Sequence, residues 1–174
     1  ITHLLDEHLD LAVRIGTLPD SSFKATRVGW LRRVVCGSPA YLASRGVPRT
    51  PVDACMHDCI TFDAVASSDQ WVFRLEKGES AVSVHSRLVV NTAEAAVDAA
   101  KAGLGLARLL SYQIDTARRA GDLTVVLEAF EPPPIPVSLV FNEQQRIPLK
   151  LRAFLDFAAP RLRKRMLVLA EAAP

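Results

Sequence analysis

The sequence predicts an α/β fold, and three observations carry that expectation. Hydrophobic residues make up 49% of the 174 residues but aromatics only 6%, a balance rich in Ala, Val and Leu that suits helices laid on a buried parallel sheet. Residues 9–15, LDLAVRI, form a nearly continuous apolar run closed by Gly16, the pattern of a strand buried on both faces. Residues 81–110 read as strand, helix, strand, which is the βαβ unit of a parallel sheet, with an expected right-handed crossover. A chain of this length can bury a substantial core, either as one domain or as two lobes.

After the first strand, Gly16 and the following Thr-Leu-Pro-Asp form a loop, and a second strand is expected over residues 30–36. Gly37 and Ser38 then supply a turn and an N-cap, Pro39 suits a first helical turn, and Gly46 closes the helix, with Pro48 and Pro51 forbidding its continuation. Strands follow at 71–75 and 81–90, joined by a hairpin tip at Lys77-Gly78-Glu79. Asn91 and Glu94 stand at capping-box spacing ahead of an alanine-rich helix, in which Ala93, Ala96, Val97 and Ala100 make a small-residue face and Gly103 the C-cap. A strand at 104–110, a helix from Ser111 to Gly121 and a strand at 122–127 come next. Residues 131–136, EPPPIP, are too proline-dense for helix or central strand and read as a stiff connector into a strand at 137–141. The last helix starts near Pro148, puts Leu151, Phe154, Leu155, Ala158 and Leu162 on one face, and should kink or end at Pro160.

The formal charge of +2 does not signal nucleic-acid binding, because phosphate contacts need a concentrated basic stripe. The one dense stripe, Arg161, Arg163, Lys164 and Arg165, reads as the solvated end of the last helix. No apolar run reaches the roughly 20 residues that span a bilayer. Three cysteines, an odd number, suit reduced thiols in a cytoplasmic protein better than a disulfide framework. The first residue is Ile1, so the chain reads as a piece of a longer one.

Catalytic and metal signals are weak. Cys55, His57 and Cys59 spell C-x-H-x-C, but a structural zinc site needs four ligands and no second Cys or His pair stands at useful spacing, so buried cysteines beside a turn histidine are the favoured interpretation. There is no G-x-S-x-G elbow and no cysteine in a recognisable reactive setting, so no catalytic residue, no metal and no cofactor is expected. Gly103-Leu104-Gly105 follows a helix instead of opening one, which disqualifies it as half of a dinucleotide fingerprint. The more promising site is the helix start at Asn91 and Thr92, after the carboxyl end of a strand, where free amides and the helix dipole favour an anion or carbonyl oxygen. Arg14, beside Gly16, and Arg108, near the end of its strand, could add charge.

Several segments in fixed order, LDLAVRIG, SPAYLASRGVPRTP, HDCITF, NTAEAAVDAAKAGLGLA, GDLTVVL and KLRAFLDF, resemble the regulatory domain of LysR-type transcriptional regulators. The resemblance implies two Rossmann-like lobes, as in type 2 periplasmic binding proteins, joined by two crossing strands and enclosing a small effector. Lobe I would be residues 1–38 plus 139–174, incomplete at its N-terminus, and lobe II residues 39–138. Effector contacts are then expected at Gly16, Thr17, Ser38, Asn91 and Thr92, with Arg14 and Arg108 as further neighbours. The nearby positive groups lean towards a carboxylate. A homodimer is implied, with DNA contacted only through a winged helix-turn-helix outside this chain. Leu110 stands where that family usually carries a proline. The alternatives are a stand-alone solute-binding protein of the same architecture and an enzyme built on it.

Overall fold

A computed structural model of the chain describes residues 10–17, 23–62, 69–142 and 148–171, which fall into two compact units. Unit 1 comprises Ile1–Leu31 with Pro134–Pro174, and unit 2 is the contiguous stretch Arg32–Pro133. The divisions therefore precede the expected ones at residues 38 and 138. The strand expected at 30–36 is in fact two, β2 (Phe23–Leu31) and β3 (Arg33–Gly37), broken at Arg32, and β3 pairs wholly within unit 2.

Unit 1 holds β1 (Ala12–Ile15), β2, β10 (Ile135–Asn142) and α4 (Leu149–Glu171), with sheet order β1-β10-β2 and both pairings antiparallel. The expected first strand began at Leu9, which lies outside the described residues, as does most of the loop after Thr17. β10 is a central strand even though Pro136 lies in it, contrary to the expectation that the proline run ends before the strand. Pro136 lacks an N–H, but its carbonyl still accepts from the Gly16 amide at 2.9 Å, and a register shift follows at once between Val137 and Ser138. α4 also runs through Pro160 to Glu171 instead of stopping there. It buries Leu151, Ala158, Ala159 and Leu169, whereas Phe154, expected on the inner face, is half exposed. Met166 of α4 lies where Gly29 of β2 presents no side chain; a Cβ at Gly29 would run into Met166 Cβ and Cγ.

Unit 2 is built on a five-stranded mixed sheet, order β7-β4-β8-β3-β9, with β4 (Asp58–Phe62), β7 (His85–Val90), β8 (Leu106–Leu110) and β9 (Thr124–Val126). β7 and β8 both run parallel to β4, one on each side, and α2 (Ala93–Lys101) connects them, as the βαβ pattern predicts. β3 runs antiparallel to β8 and β9. The strand expected at 81–90 is two strands. β6 (Gly78–Ser83) pairs back on β5 (Gln70–Leu75) as a hairpin, and β7 joins the main sheet.

Because side chains alternate across a strand, the two faces of this sheet carry separate cores. On one, Val34, Cys36, Ile60, Ala107 and Leu109 meet Ala93, Ala96, Ala99 and Ala100 of α2 and Ile114 and Ala117 of α3 (Ser111–Arg119). On the other, Val35, Cys59, Leu106 and Val126 meet Trp71, Phe73 and Val82 of the hairpin and Tyr41 and Leu42 of α1 (Pro39–Arg45). Gly105 permits the closest backbone approach, since a Cβ there would collide with the Asp58 carbonyl of β4. Gly105→Ala is expected to cost about 1–3 kcal/mol, as overpacking against rigid backbone does, read as a lowered urea midpoint with an unchanged slope.

Candidate functional site

β4, β7 and β8 are parallel, so their carboxyl ends at Phe62, Val90 and Leu110 share one edge of the unit 2 sheet. Open α/β sheets bind ligands at such an edge. Asn91 and Thr92, both exposed, stand there between β7 and α2. The cap is Thr92, one residue later than the Asn91–Glu94 box predicts. Its backbone is extended, and its Oγ1 accepts from the Ala95 amide at 3.2 Å. The Ala93 and Glu94 amides lie ahead of the intrahelical ladder, so this end of α2 presents donors and the positive end of the helix dipole.

Ser38 does not join them. It follows the antiparallel β3 and so lies at the opposite edge, where Cys36 pairs with Ala107. It is 4% exposed, and its Oγ accepts the Tyr41 amide at 3.3 Å as the cap of α1. It also sits by the far end of α2, 3.6 Å from where a Cβ on Gly103 would be. Arg108 is also apart from the α2 start. Ala107 and Leu109 face α2, so the residue between them points to the other face, where the Arg108 guanidinium lies 5.7 Å from the Phe73 ring and donates from Nη2 to the Val72 carbonyl at 2.7 Å.

Arg14, Gly16 and Thr17 belong to unit 1, at the end of β1. Arg14 pairs with Ser138, and among the described residues its buried Nε has no hydrogen-bond partner. Gly16 takes a positive φ of 120° to leave the strand, and Thr17 is exposed.

Three residues that the sequence reading passed over stand at the same edge of unit 2 as Asn91. Arg33 pairs with Leu110. The Ser111 amide donates to the Arg32 carbonyl at 2.9 Å, and the Arg32 amide donates back to Ser111 Oγ at 3.3 Å. Arg32 grips Glu131 with Nε and Nη2 at 2.7 and 2.6 Å, and Nη2 also reaches Glu128 at 2.8 Å. The hydrogen bond to Glu131 is the main reason its pKa rises further, against the opposing effect of burial. Glu128 and Glu131 also line an open pocket of about 810 Å³ with Glu76, Glu79 and Phe130. The available signal was the pair of arginines interrupting the apolar run WLRRVV.

The C-x-H-x-C residues take separate partners. Cys55 is exposed and donates to the Ser83 carbonyl, Cys59 is buried and donates to backbone carbonyls, and His57 Nδ1 lies 3.1 Å from the Tyr41 hydroxyl. Among the described residues no group of three potential metal ligands occurs. Burial pushes the Cys59 thiol up to about 12, helped by the Asp58 carboxylate.

The sequence matches the LysR substrate binding domain over residues 1–163. The chain belongs to that family. An uncharacterized HTH-type transcriptional regulator of Haemophilus influenzae is 30% identical over 148 residues, 85% of this chain and 51% of that protein. The HTH-type transcriptional activator AaeR of Escherichia coli K12 is 28% identical over 154 residues, covering 88% of this chain and 50% of the activator. The regulatory domain of CrgA, a LysR-type regulator from Neisseria meningitidis, superposes with a TM-score of 0.77 at 25% identity, covering 93% of this chain and 78% of that one. The LysR-domain chain thus spans about half the length of the curated relatives it matches. Its fold is that of LysR regulatory domains, the two-lobed architecture resembling periplasmic binding proteins. Among the described residues no helix is long and apolar enough to cross a membrane.

Thr92→Ala is expected to destabilise the protein by about 0.5–2 kcal/mol through loss of the cap, with Asn91→Ala nearly neutral, as measured by chemical denaturation. Protonation gives a second expectation. Burial, reinforced by Arg45, holds the His57 pKa below its ordinary 6.5, so the folded state binds fewer protons than the unfolded one. Stability should be level above the ordinary imidazole pKa and fall as the pH drops from about 6.5 towards 5, ahead of carboxylate protonation. His57→Gln should flatten that part of the stability–pH curve.

Proposed function

We propose that the chain is the effector-sensing part of a bacterial transcriptional regulator. A small molecule binds at the carboxyl edge of the unit 2 sheet, against the start of α2 at Asn91 and Thr92. The observation that carries this reading is the exposed, Thr92-capped helix start in a chain of the LysR substrate-binding family. Free first-turn amides and a dipole end favour an anionic or carbonyl oxygen, which suits a carboxylate effector.

The mechanism is a population shift and not a reaction. An effector that binds one arrangement better biases the whole regulator towards it, by no more than its difference in affinity for the two. The full-length protein would work in the cytoplasm and contact DNA through a helix-turn-helix of the kind named for its relatives, and the domain would pair with a second copy. The stand-alone solute-binding alternative has no support among these relatives.

A melting-shift screen over organic acids, amino acids and small aromatics tests the reading. At least one class should raise the melting temperature in a saturable way. The affinity of that compound should fall about tenfold or more in Asn91→Ala or Thr92→Ala, and an affinity unchanged in both variants removes the site.

A further inference from the structure

Arg33 and Arg108 lie on the same face of the unit 2 sheet. β3 and β8 pair Arg33 with Leu110 and Val35 with Arg108, so the two arginines are diagonal cross-strand neighbours, a spacing of about 7–8 Å between backbones. Val35, between them on β3, packs with Phe73, Leu106 and Val126, which identifies the face as the one opposite α2. Both residues are partly buried.

Like charges at this spacing on a half-buried surface repel, and a buried charge is ordinarily paired. Among the described residues neither guanidinium has a carboxylate within ion-pair distance. Arg108 is satisfied only by the neutral Val72 carbonyl and the face of Phe73. Burial, with Arg33 adding to it, lowers its pKa to about 10. The contrast with the preceding residue is direct, because Arg32 takes both Glu131 and Glu128. Glu128 and Glu131 are therefore committed to Arg32, and among the described residues the adjacent pair has no carboxylate partner.

We propose that Arg33 and Arg108 form an oxyanion subsite on this face of the sheet, separate from the α2 start, which takes a small carboxylate or phosphate between two guanidinium forks. A single oxyanion accepts from both guanidiniums, removes their repulsion and leaves the Val72 bond intact. Any apolar body attached to it would lie near Phe73. This subsite does not depend on the effector reading above.

The test uses the 174-residue chain at constant ionic strength, with benzoate and inorganic phosphate as separate probes and chloride as the reference anion. Wild type should show a saturable melting shift with at least one probe, and the arm that responds tells carboxylate from phosphate. Arg33→Gln and Arg108→Gln should each weaken that probe about tenfold or more, Arg33→Lys should restore part of the affinity, and Thr92→Ala should leave it unchanged. Arg33→Gln decides the matter if loss of the Val72 contact unfolds the Arg108 variant. No saturable shift with either probe, or equal affinity in wild type and Arg33→Gln, overturns the subsite. Loss in Thr92→Ala with none in Arg33→Gln does so as well, while leaving the α2 site standing.

Discussion

The architecture of unit 2 depends on how closely α2 can lie against its sheet. Ala93, Ala96, Ala99 and Ala100 present only methyl groups to Val34, Ile60, Ala107 and Leu109, so the helix backbone approaches the strands directly. Larger side chains along that stripe would lift the helix and carry its first turn away from the edge defined by Phe62, Val90 and Leu110. The position of Thr92 and the two amides after it is thus set by packing several residues away. Gly105 performs the same service at the other end, letting β8 leave the turn against the Asp58 carbonyl.

The two faces of the sheet have different chemical characters. The α2 face is closed by small and branched apolar groups and carries no charge among its core residues. The other combines large aromatics with Arg108, whose guanidinium is taken up by a ring face and a backbone carbonyl. A sheet of this kind separates the helix start, with its aligned backbone dipoles, from the Arg108 side chain on the reverse side.

Much of the fold was legible because it is written in local signals. The βαβ unit was clear from a strand, a capped alanine helix and a glycine stop, and α1 from Ser38, Pro39 and Gly46. The errors came where non-local pairing decides the outcome. In the run at 30–36 the two arginines are the one local mark of the break at Arg32, and what fixes it is non-local, since that residue is held by Glu131 and Ser111, 99 and 79 positions away. Residues 81–90 alternate as one strand would, yet the hairpin claims the first half and the sheet the second. Pro136 read as the end of a connector and Pro160 as a kink or end of the last helix, but β10 includes the first beside a register shift and α4 continues through the second. The position of Asn91 and Thr92 at a helix start was legible from the capping pattern. That Ser38 lies at the opposite edge was not, because the antiparallel direction of β3 cannot be read from the strand itself, and one residue of phase decides which face Arg108 occupies.

The distribution of the two units along the chain bears on the order in which the protein can be made. Unit 2 is one uninterrupted stretch, whereas the sheet of unit 1 joins strands from the start of the chain to β10, and α4 lies near the end. During vectorial synthesis the ribosome therefore releases a complete unit 2 while β1 and β2 still lack the central strand that pairs them. Until β10 emerges, β1 and β2 lack the strand that lies between them in the sheet, and unpaired strand edges are what make such an interval prone to wrong pairing.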